Sequence, residues 1–309
     1  MDFRQLKTFL TVVDTGNITR AAEILHIVQP AVSRQIKLLE EDLDTLLFER
    51  QRQGMVLTES GKLLVDYARR AMLELDRARA AISGAQKGVG GLVTLGLLPS
   101  TIDVLSGSLL SAIAQEFPGI KLRLTMGYAG TLLRWLESGE IDAALLYGAE
   151  RSPDIQIEPL IEEPLWVVWS NHFDIKHGKS FALKDLTKHP VILPSTPHGI
   201  RTLVDHACAT SKLTLNIVAE ANALSLQKSL ALTGHGLTIL PPIAVVDELQ
   251  SRQLTGAPLS GPAISRTIVL ALPTNRATNQ HVRCALDVLT ECARQAVKQG
   301  TWPEGRWLA

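Results

Sequence analysis

The chain of 309 residues is short of cysteine, of unbroken apolar stretches and of excess charge, and each shortage argues against a class of protein. Its three cysteines, Cys208, Cys284 and Cys292, are widely spaced and odd in number, which fits a reducing compartment better than a disulfide framework. No run of about 18 apolar residues occurs, so we expect no membrane span. The opening MDFRQLKTFLTVVD is amphipathic and lacks the basic-then-apolar order of a secretory signal, which favours a cytoplasmic protein.

Patterns that carry catalysis or bind metal are also missing. The eight histidines are scattered, without H-E-x-x-H or C-x-x-C spacing. Ser195, His198 and Asp205 supply the residue types of a nucleophile triad, but there is no G-x-S-x-G elbow, and Ser195 stands between prolines in LPSTP. ESGKLL has the end of a phosphate-binding loop, but Val56 and Leu63 replace its required glycine and Ser/Thr. We therefore expect neither an enzyme nor a cofactor.

The chain also has no net charge, since 31 basic side chains balance 31 acidic ones. Residues 1–60 hold seven basic and nine acidic side chains, so they lack the net positive charge common in nucleic-acid binders. Binding to nucleic acid therefore depends on where the basic side chains lie and not on their number.

What the sequence does contain is a short amphipathic segment, HIVQPAVSRQIKLLEEDL, from His26 to Leu43. Pro30 suits a first helical turn because its missing N–H would be unpaired there. Residues spaced by three or four share one face of such a helix. One face is then polar and the other apolar: Gln29, Ser33, Arg34 and Lys37 against Val32, Ile36, Leu39 and Leu43.

Two shorter helical patterns precede this segment, and a hairpin pattern follows it. The first has an apolar stripe of Leu6, Phe9, Leu10 and Val13. ITRAAEIL gives the second after Gly16 and Asn17, and a tight connection then leads to the third helix, which makes a helix-turn-helix. LFERQRQGMVLTESG predicts a β-hairpin wing with Arg50 and Arg52 near its tip and with Thr58 capping the next helix.

The polar face of the third helix has the side chains that read DNA. Gln29 can pair with adenine and Arg34 with guanine in the major groove, while Ser33 and Lys37 suit phosphates or base edges. A solvated amphipathic helix with no such role explains the same pattern, so this alternative stays open.

A long helix is predicted from Thr58 to about Gln86, before the glycine-rich SGAQKGVGG. Apolar residues recur along it at alternating steps of four and three, which is a heptad pattern: Leu64, Ala68, Ala71, Leu75, Ala78 and Ile82. The stripe fits either packing within the chain or pairing of two chains. Pairing is favoured after a helix-turn-helix, because paired reading heads need a spacing of about 34 Å.

Beyond Gly91, predicted strands and helices alternate. LVTLGLL, IKLRLTM and IDAALLYG have strand patterns with helices between them, a βαβαβ order that predicts a largely parallel sheet. A second round follows with LWVVWS, PVILPS, LTLNIVAEA and GLTILP. Two such units predict two α/β lobes with a ligand cleft at the carboxyl ends of the strands.

Polar residues at strand ends and helix starts are the candidate ligand contacts in this cleft. Hydroxyls and helix N-terminal N–H groups hold anions well, so we expect a small, anionic ligand. The candidates are Ser100, Thr101, Gly130, Thr131, Ser195, Thr196, His198 and Asn222. Each hydroxyl could instead cap a helix without touching a ligand.

The N-terminal segment resembles the winged helix-turn-helix of the LysR-type transcriptional regulators, with AAEILH, QPAVSRQI, LEEDL, LFER and LTESG in the family's order. GLLPST, FPGIKLRL, LESGEIDAALLYG and TGHGLTILP resemble its effector domain, which is similar to periplasmic solute-binding proteins. ILPSTPHGIR and EANALSLQKSL are similar to one subgroup, the nitrogen-assimilation-control regulators. Val28, Gln53 and Ala129 depart from the family, where serine, a basic residue and serine are more usual at these positions.

The resemblance implies roles for particular residues and partners. Gln29, Ser33 and Arg34 would face DNA with help from Arg50, and Ser100, Thr131 and the segment from Ser195 to His198 would line an effector site. The implied partners are double-stranded promoter DNA, a small-molecule effector, further copies of the chain in a dimer or tetramer, and RNA polymerase.

The expected fold is an all-α winged helix-turn-helix with a long linker helix, followed by a two-lobed α/β effector domain. We place the reading domain at 1–58, the linker helix and hinge at 59–90, and the effector domain at 91–309. Lobe I would take 91–163 and 267–309, and lobe II 164–266. A solute-binding or enzymatic α/β protein with an incidental helix-turn-helix is the alternative.

Overall fold

The computed structural model describes residues 1–51, 54–84, 89–148, 152–175, 178–274 and 278–309. The chain forms two compact units, one of Met1–Gly91 and one containing nearly all of Leu92–Ala309. Within the described ranges, none of the helices combines the length and the apolar character needed to cross a membrane.

Three helices open the first unit, and the residues at their ends explain where they begin and end. Asp2 and Gln5 form a capping box, in which each side chain accepts a hydrogen bond from the other's backbone N–H, at 2.8 and 2.7 Å. Gly16 ends the first helix in the left-handed conformation, and Asn17 caps the second. The helices are α1 (Phe3–Thr15), α2 (Ile18–Leu25) and α3 (Gln29–Leu43).

A hairpin and a long helix complete this unit. The hairpin pairs β1 (Phe48–Gln51) with the antiparallel strand β2 (Gly54–Leu57), and α4 (Glu59–Gly84) follows. Thr58 caps α4 as predicted, since its Oγ1 accepts a hydrogen bond from the Gly61 N–H at 3.0 Å. The apolar stripes of α1, α2 and α3 meet in one core: Leu6, Phe9, Val12, Ala21, Ala22, Val32, Ile36, Leu39, Leu47, Phe48 and Ala68.

The second unit has two six-stranded sheets. The first has the order β14-β6-β13-β5-β3-β4, from β3 (Gly90–Leu97), β4 (Gly119–Met126), β5 (Ala143–Tyr147), β6 (Ile155–Pro164), β13 (Ser265–Pro273) and β14 (Arg306–Trp307). The second has the order β10-β9-β11-β7-β12-β8, from β7 (Trp166–Ser170), β8 (Phe181–Ala182), β9 (Pro190–Leu193), β10 (Asn216–Glu220), β11 (Leu237–Leu240) and β12 (Leu254–Ser260).

Helices connect these strands. They are α5 (Ile102–Glu116), α6 (Ala129–Ser138), α7 (Leu183–Leu186), α8 (Gly199–Ser211), α9 (Leu224–Leu232), α10 (Val246–Gln250) and α11 (Gln280–Gln299). Two short 3₁₀ segments, Pro99–Thr101 and Pro242–Val245, precede α5 and α10 and contact each other.

The sheets are mixed, so the prediction of a largely parallel sheet is wrong. β3 runs parallel to β5, and β9 parallel to β10 and β11, but β13 is antiparallel to β5 and β6, and β7 is antiparallel to β11 and β12. β6 and β12 do not show a strand pattern in the sequence, because the glutamates and prolines of IQIEPLIEEP and the small residues of LTGAPLS obscure the alternation.

The chain crosses from one sheet to the other twice, and the two crossings lie side by side. Leu165 alone separates β6 from β7, and residues 261–264 separate β12 from β13. The Leu165 N–H donates to the Ile264 carbonyl at 2.8 Å, and the Leu259 N–H donates to the Leu165 carbonyl at 3.1 Å. The sheets are therefore joined by two adjacent segments that are hydrogen-bonded to each other.

Candidate functional sites

The start of α3 presents a polar surface to solvent. Gln29, Pro30, Arg34 and Lys37 are exposed and Ser33 is half-buried, whereas Val32, Ile36 and Leu39 on the opposite side lie in the core. Lys37 lies 3.5 Å from the Glu41 carboxylate, an exposed pair one turn along the helix. The polar face is therefore not used in packing its own unit.

The N-terminus of α3 lacks the side-chain cap that the other two helices have. Val28 occupies the N-cap position, makes no capping hydrogen bond and is 70% exposed. Pro30 in the first turn removes one N–H that would otherwise need a partner.

The wing is fixed to α1 by a close backbone contact. The Met55 N–H donates to the Gly16 carbonyl at 2.9 Å, and a Cβ on Gly54 would lie 2.5 Å from that same oxygen. Glycine is thus required at 54 for this approach. Arg50 lies in β1 opposite Met55, but its side chain lies outside the described residues, as do Arg52 and Gln53.

The other end of α3 is tied to the wing by Glu40. Its Oε1 accepts hydrogen bonds from the backbone N–H groups of Leu47 and Phe48, at 2.8 and 3.3 Å. Glu40 is therefore a structural acceptor that holds the end of α3 against the start of the hairpin.

Helix α4 has two apolar faces. Ala68 is fully buried in the core of its own unit, so this residue of the predicted seam is not free for a second chain, while Leu64 and Ala71 are partly buried against that core. Leu75 and Ala78 are exposed, and the side chain of Ile82 lies outside the described residues. A different pair of large apolar side chains, Leu63 and Tyr67, is exposed on the N-terminal half of the helix.

In the second unit, a buried ion pair lies beside the two crossings. The register of β6 and β13 places Glu163 opposite Arg266, and both side chains are almost completely buried. Glu163 Oε1 accepts a hydrogen bond from Arg266 Nε at 2.7 Å and lies 2.6 Å from Arg266 Nη2, while Oε2 accepts from the Trp302 indole at 2.9 Å. Arg266 also donates through Nη2 to the Ser100 hydroxyl at 2.7 Å.

Arg266 forms one wall of a small cavity between the two sheets. Its guanidinium carbon lies 4.6 Å from the centre of the Tyr147 ring, a cation–π distance. The cavity, about 20 Å³ in volume, has room for about one water molecule. Its lining includes Arg266 but not Glu163: Leu98, Pro99, Ser100, Tyr128, Tyr147, His198, Ile200, Leu224, Gln227, Leu240, Pro241 and Arg266.

His198 is the least satisfied polar side chain of this cavity. Both ring nitrogens are buried and make no hydrogen bond within the described part of the chain. Its ring lies 5.3 Å from the Tyr128 ring and 6.4 Å from the Tyr147 ring, centre to centre. Burial, and to a smaller extent the nearby charge of Arg266, lowers the pKa of His198 to about 4, so the imidazole is neutral at physiological pH.

Two tyrosines also contribute to the polar lining. Burial raises the pKa of Tyr128 and of Tyr147, so both phenols stay protonated near neutral pH. The Tyr128 oxygen accepts a hydrogen bond from the Leu224 N–H at 2.8 Å, which links the first sheet's α6 region to the start of α9. Its own O–H proton is then available as a donor.

Comparison with known proteins identifies both units. The bacterial regulatory helix-turn-helix protein model of the lysR family matches residues 3–62, and the LysR substrate binding domain model matches residues 86–294. The second match alone covers more than half of the chain.

The chain belongs to the LysR family of transcriptional regulators. It is similar to the nitrogen assimilation regulatory protein nac of Escherichia coli (strain K12), at 29% identity over 94% of each chain, and to its Klebsiella aerogenes counterpart, at 30% over 94% of each. The expected likeness to nitrogen-assimilation-control regulators is confirmed. CbnR, a LysR family transcriptional regulator of known structure, has the same fold, with a TM-score of 0.77 and 23% identity over 95% of this chain and 99% of CbnR.

These matches decide between the alternatives that the sequence left open. The relatives are DNA-binding regulators, so this LysR protein is a transcriptional regulator with an effector-binding domain and not an enzyme. The expected fold, a helical reading domain followed by a two-sheet α/β effector domain, is confirmed by the family matches and by CbnR.

The LysR effector domain brings together only part of the residue set proposed from sequence. Ser100 and His198 meet at the inter-sheet cavity. Thr101 is fully buried and donates to the Leu98 carbonyl at 3.0 Å, so it closes the 3₁₀ turn before α5. The remaining five residues are not part of the cavity lining: Gly130, Thr131, Ser195, Thr196 and Asn222.

Ser195 and Asn222, both predicted as ligand contacts, are hydrogen-bonded to each other. The Ser195 N–H and hydroxyl donate to Asn222 Oδ1 at 2.8 and 2.9 Å. The N–H and the hydroxyl of Ser195 therefore both have their acceptor within the second lobe.

Four polar residues of the cavity lining were not predicted from the sequence: Tyr128, Tyr147, Gln227 and Arg266. Tyr147 ends β5 and Tyr128 precedes α6, so the strand-end and helix-start rule that gave Ser100 could also have found the two tyrosines. Arg266 is a single charge at the start of the otherwise apolar RTIVLAL, which is a weak signal for a buried ion pair. Gln227 has no sequence signal; it lies inside α9 and accepts from the Thr238 hydroxyl at 3.2 Å.

Proposed function

We propose that this LysR regulator reads a pseudo-palindromic promoter site with the polar face of α3 and responds to a small anionic metabolite bound between the two sheets of its effector domain. The chains would pair through α4 and assemble further into a tetramer. Effector binding would shift the assembly between shapes that bend DNA differently and contact RNA polymerase differently.

The exposed polar face of α3 is the observation that supports the DNA-reading role of particular residues. Gln29 and Arg34 are exposed at the N-terminal end of the helix, the part that contacts base edges in helix-turn-helix proteins. Ser33 and Lys37 extend the same face, with Arg50 and Arg52 of the wing assigned to phosphate or minor-groove contacts.

The Arg266 side chain is the observation that supports an anionic effector. The guanidinium lines the cavity while its partner Glu163 does not, so a ligand in the cavity meets the positive end of this pair. Ser100 and the Tyr128 O–H can add hydrogen bonds to a carboxylate or phosphate oxygen. Neutral His198 offers one further donor and one acceptor from nitrogens that lack partners among the described residues.

The size of the cavity indicates that effector binding would separate the sheets. A volume of about 20 Å³ holds a water molecule, whereas pockets for small organic ligands are about 300–1,000 Å³. We therefore infer that the effector domain is closed without ligand and that the effector binds more tightly to a more open state.

Promoter fragments selected from a random-sequence pool would test the DNA-reading role. Arg34→Ala should reduce the discrimination between selected and random DNA by about 1–3 kcal/mol if Arg34 reads a base. Arg123→Ala, which removes an exposed arginine of β4, is the matched control and should change neither affinity. Equal losses on selected and random DNA would instead make Arg34 a phosphate contact.

A thermal-shift screen of the full chain would test the effector. We expect at least one small carboxylate or phosphate ester to raise the unfolding midpoint, while its uncharged amide or alcohol does not. Ser100→Ala should weaken that response, and Ser106→Ala on α5, whose hydroxyl bonds only back to Ile102 among the described contacts, should not. A response to the uncharged analogues alone would refute the anionic class.

A further inference from the structure

A hydrogen bond joins the two lobes of the effector domain across their cleft. The Tyr128 hydroxyl, in the lobe of the first sheet, accepts from the Leu224 N–H, in the lobe of the second sheet, at 2.8 Å. Leu224 is the first residue of α9, and Ala223 before it makes no side-chain cap. Because the first N–H groups of a helix need acceptors from outside it, Tyr128 supplies from one lobe the cap that α9 lacks in the other.

Tyr128 is held firmly in its own lobe. Its backbone carbonyl accepts hydrogen bonds from the N–H groups of Thr131 and Leu132, at 2.9 and 3.0 Å, so the same residue also begins α6. A Cβ on the preceding Gly127 would lie 3.0 Å from the Leu132 side chain and 3.2 Å from that of Trp135, so the chain packs closely against α6 here. The lobes therefore cannot move far apart without breaking the bond between the phenol and α9.

A second contact across the cleft is the close approach of a ring to a backbone. A Cβ on Gly199, the first residue of α8, would lie 2.5 Å from Cε2 of Tyr147 in the other lobe. Gly199 is not in the left-handed conformation, so glycine is needed here for space and not for its φ. The Tyr147 ring is buried and lies against Arg266, and it cannot easily move aside. The lobes therefore meet more closely at this point than a residue with a Cβ would allow.

Both contacts lie at the small inter-sheet cavity. Tyr128, Tyr147 and Leu224 line it, as does His198, which directly precedes Gly199. At about 20 Å³ the cavity is too small for an organic ligand, so a ligand can enter only after the lobes have moved apart. Each contact that holds the lobes together therefore lowers the population of the binding-competent state, and with it the apparent affinity for the ligand.

We propose that Tyr128, bonded to Leu224, and Gly199, packed against Tyr147, form an autoinhibitory latch that holds the ligand-free effector domain closed. This inference rests on the proposed function, because the latch regulates the same cleft. A ligand oxygen that accepts the Leu224 N–H would displace the phenol oxygen, so ligand binding and release of the latch would be one exchange. The freed Tyr128 hydroxyl would then be able to donate to the same ligand.

Amide hydrogen exchange of the full chain without ligand, followed by mass spectrometry, tests the latch. The two 3₁₀ segments, Pro99–Thr101 and Pro242–Val245, contact each other across the lobes and contain none of the latch residues. Their amides should exchange faster as the open population rises. Tyr128→Phe deletes only the bonded oxygen and should accelerate this exchange about two- to tenfold, the net effect of one hydrogen bond. Gly199→Ala should change it in the same direction, because its methyl group pushes against the Tyr147 ring.

Two matched controls and one reference helix make the test decisive. Tyr67→Phe removes an exposed phenol on α4, and Gly107→Ala adds a Cβ that meets nothing within 4 Å, so neither should change the exchange of the two segments. Unchanged exchange in Tyr128→Phe would overturn the latch, whatever Gly199→Ala does. An equal acceleration in α11 would also overturn it, since the variant would then destabilise the whole domain. No ligand is present in this experiment, so failure of the anion site and failure of the latch are distinguishable.

Discussion

Replacing Glu163 by alanine should destabilise the effector domain more than almost any other single substitution. Glu163 is completely buried, forms an ion pair with Arg266 and accepts two hydrogen bonds, one from Arg266 Nε and one from Trp302. Without it, a guanidinium that is 3% exposed keeps its charge, because arginine does not deprotonate in proteins, and loses its counter-ion. The Trp302 indole N–H also loses its acceptor.

The expected size of the effect follows from the burial of this pair. Breaking a buried ion pair on one side costs about 3–5 kcal/mol. For an effector domain of this length, each kcal/mol lowers the unfolding midpoint by about 2–4 °C, so we expect a decrease of about 6–20 °C. Far-UV circular dichroism of the purified full chain during heating, supported by urea unfolding, would measure it.

Two further variants make the reasoning refutable. Glu162→Ala removes the neighbouring glutamate, which forms an exposed pair with Arg306, and should leave the midpoint nearly unchanged. Glu163→Ala combined with Arg266→Met removes both charges and should be more stable than Glu163→Ala alone. Two results would show that Glu163 does not compensate the buried charge of Arg266. They are a double variant as unstable as the single one, and a decrease in the free energy of unfolding below about 1 kcal/mol for Glu163→Ala.

Three other predictions concern the cleft, the reading helix and the linker helix. Because burial lowers the pKa of His198 from 6.5 to about 4 on folding, the unfolded chain binds more protons than the folded chain between these pH values, so stability decreases as the pH is lowered through this window. His198→Gln should flatten this decrease in urea titrations, and an unchanged pH dependence would show that His198 is not its source. Val28→Ser should stabilise the first unit by about 1 kcal/mol in chemical denaturation, and a value near zero would mean that water already caps α3. Leu63→Glu with Tyr67→Glu should lower the weight-average mass of the protein in sedimentation equilibrium, whereas an unchanged mass would place chain pairing elsewhere.

The N-terminal unit was predicted well because its signals are local. The spacing of apolar residues, the helix-starting Pro30 and the capping residues Asn17 and Thr58 act within one or two turns. In the predicted pairing seam, Ala68 was assigned wrongly for a physical reason. An amphipathic stripe shows that a helix face is buried but not by what, and Ala68 is buried by its own unit.

The inter-sheet cavity was predicted only in part because its central contact is not local. Glu163 and Arg266 are 103 residues apart, and they meet only through the antiparallel register of β6 with β13. Neither strand pairing nor mixed topology follows from βαβ alternation. Ser100 and His198 were found because each stands at a strand or helix end, where the sheet architecture itself brings residues together.

The paired crossings at Leu165 and Ile264 restrict how the effector domain can change shape. A single connecting segment would allow swivelling in any direction, but two hydrogen-bonded segments side by side resist torsion and allow bending chiefly in one plane. Its conformations should then form a one-dimensional series ordered by a single opening angle. One pair of spectroscopic labels, placed across the two sheets, would in that case be enough to rank every ligand and every variant on the same scale.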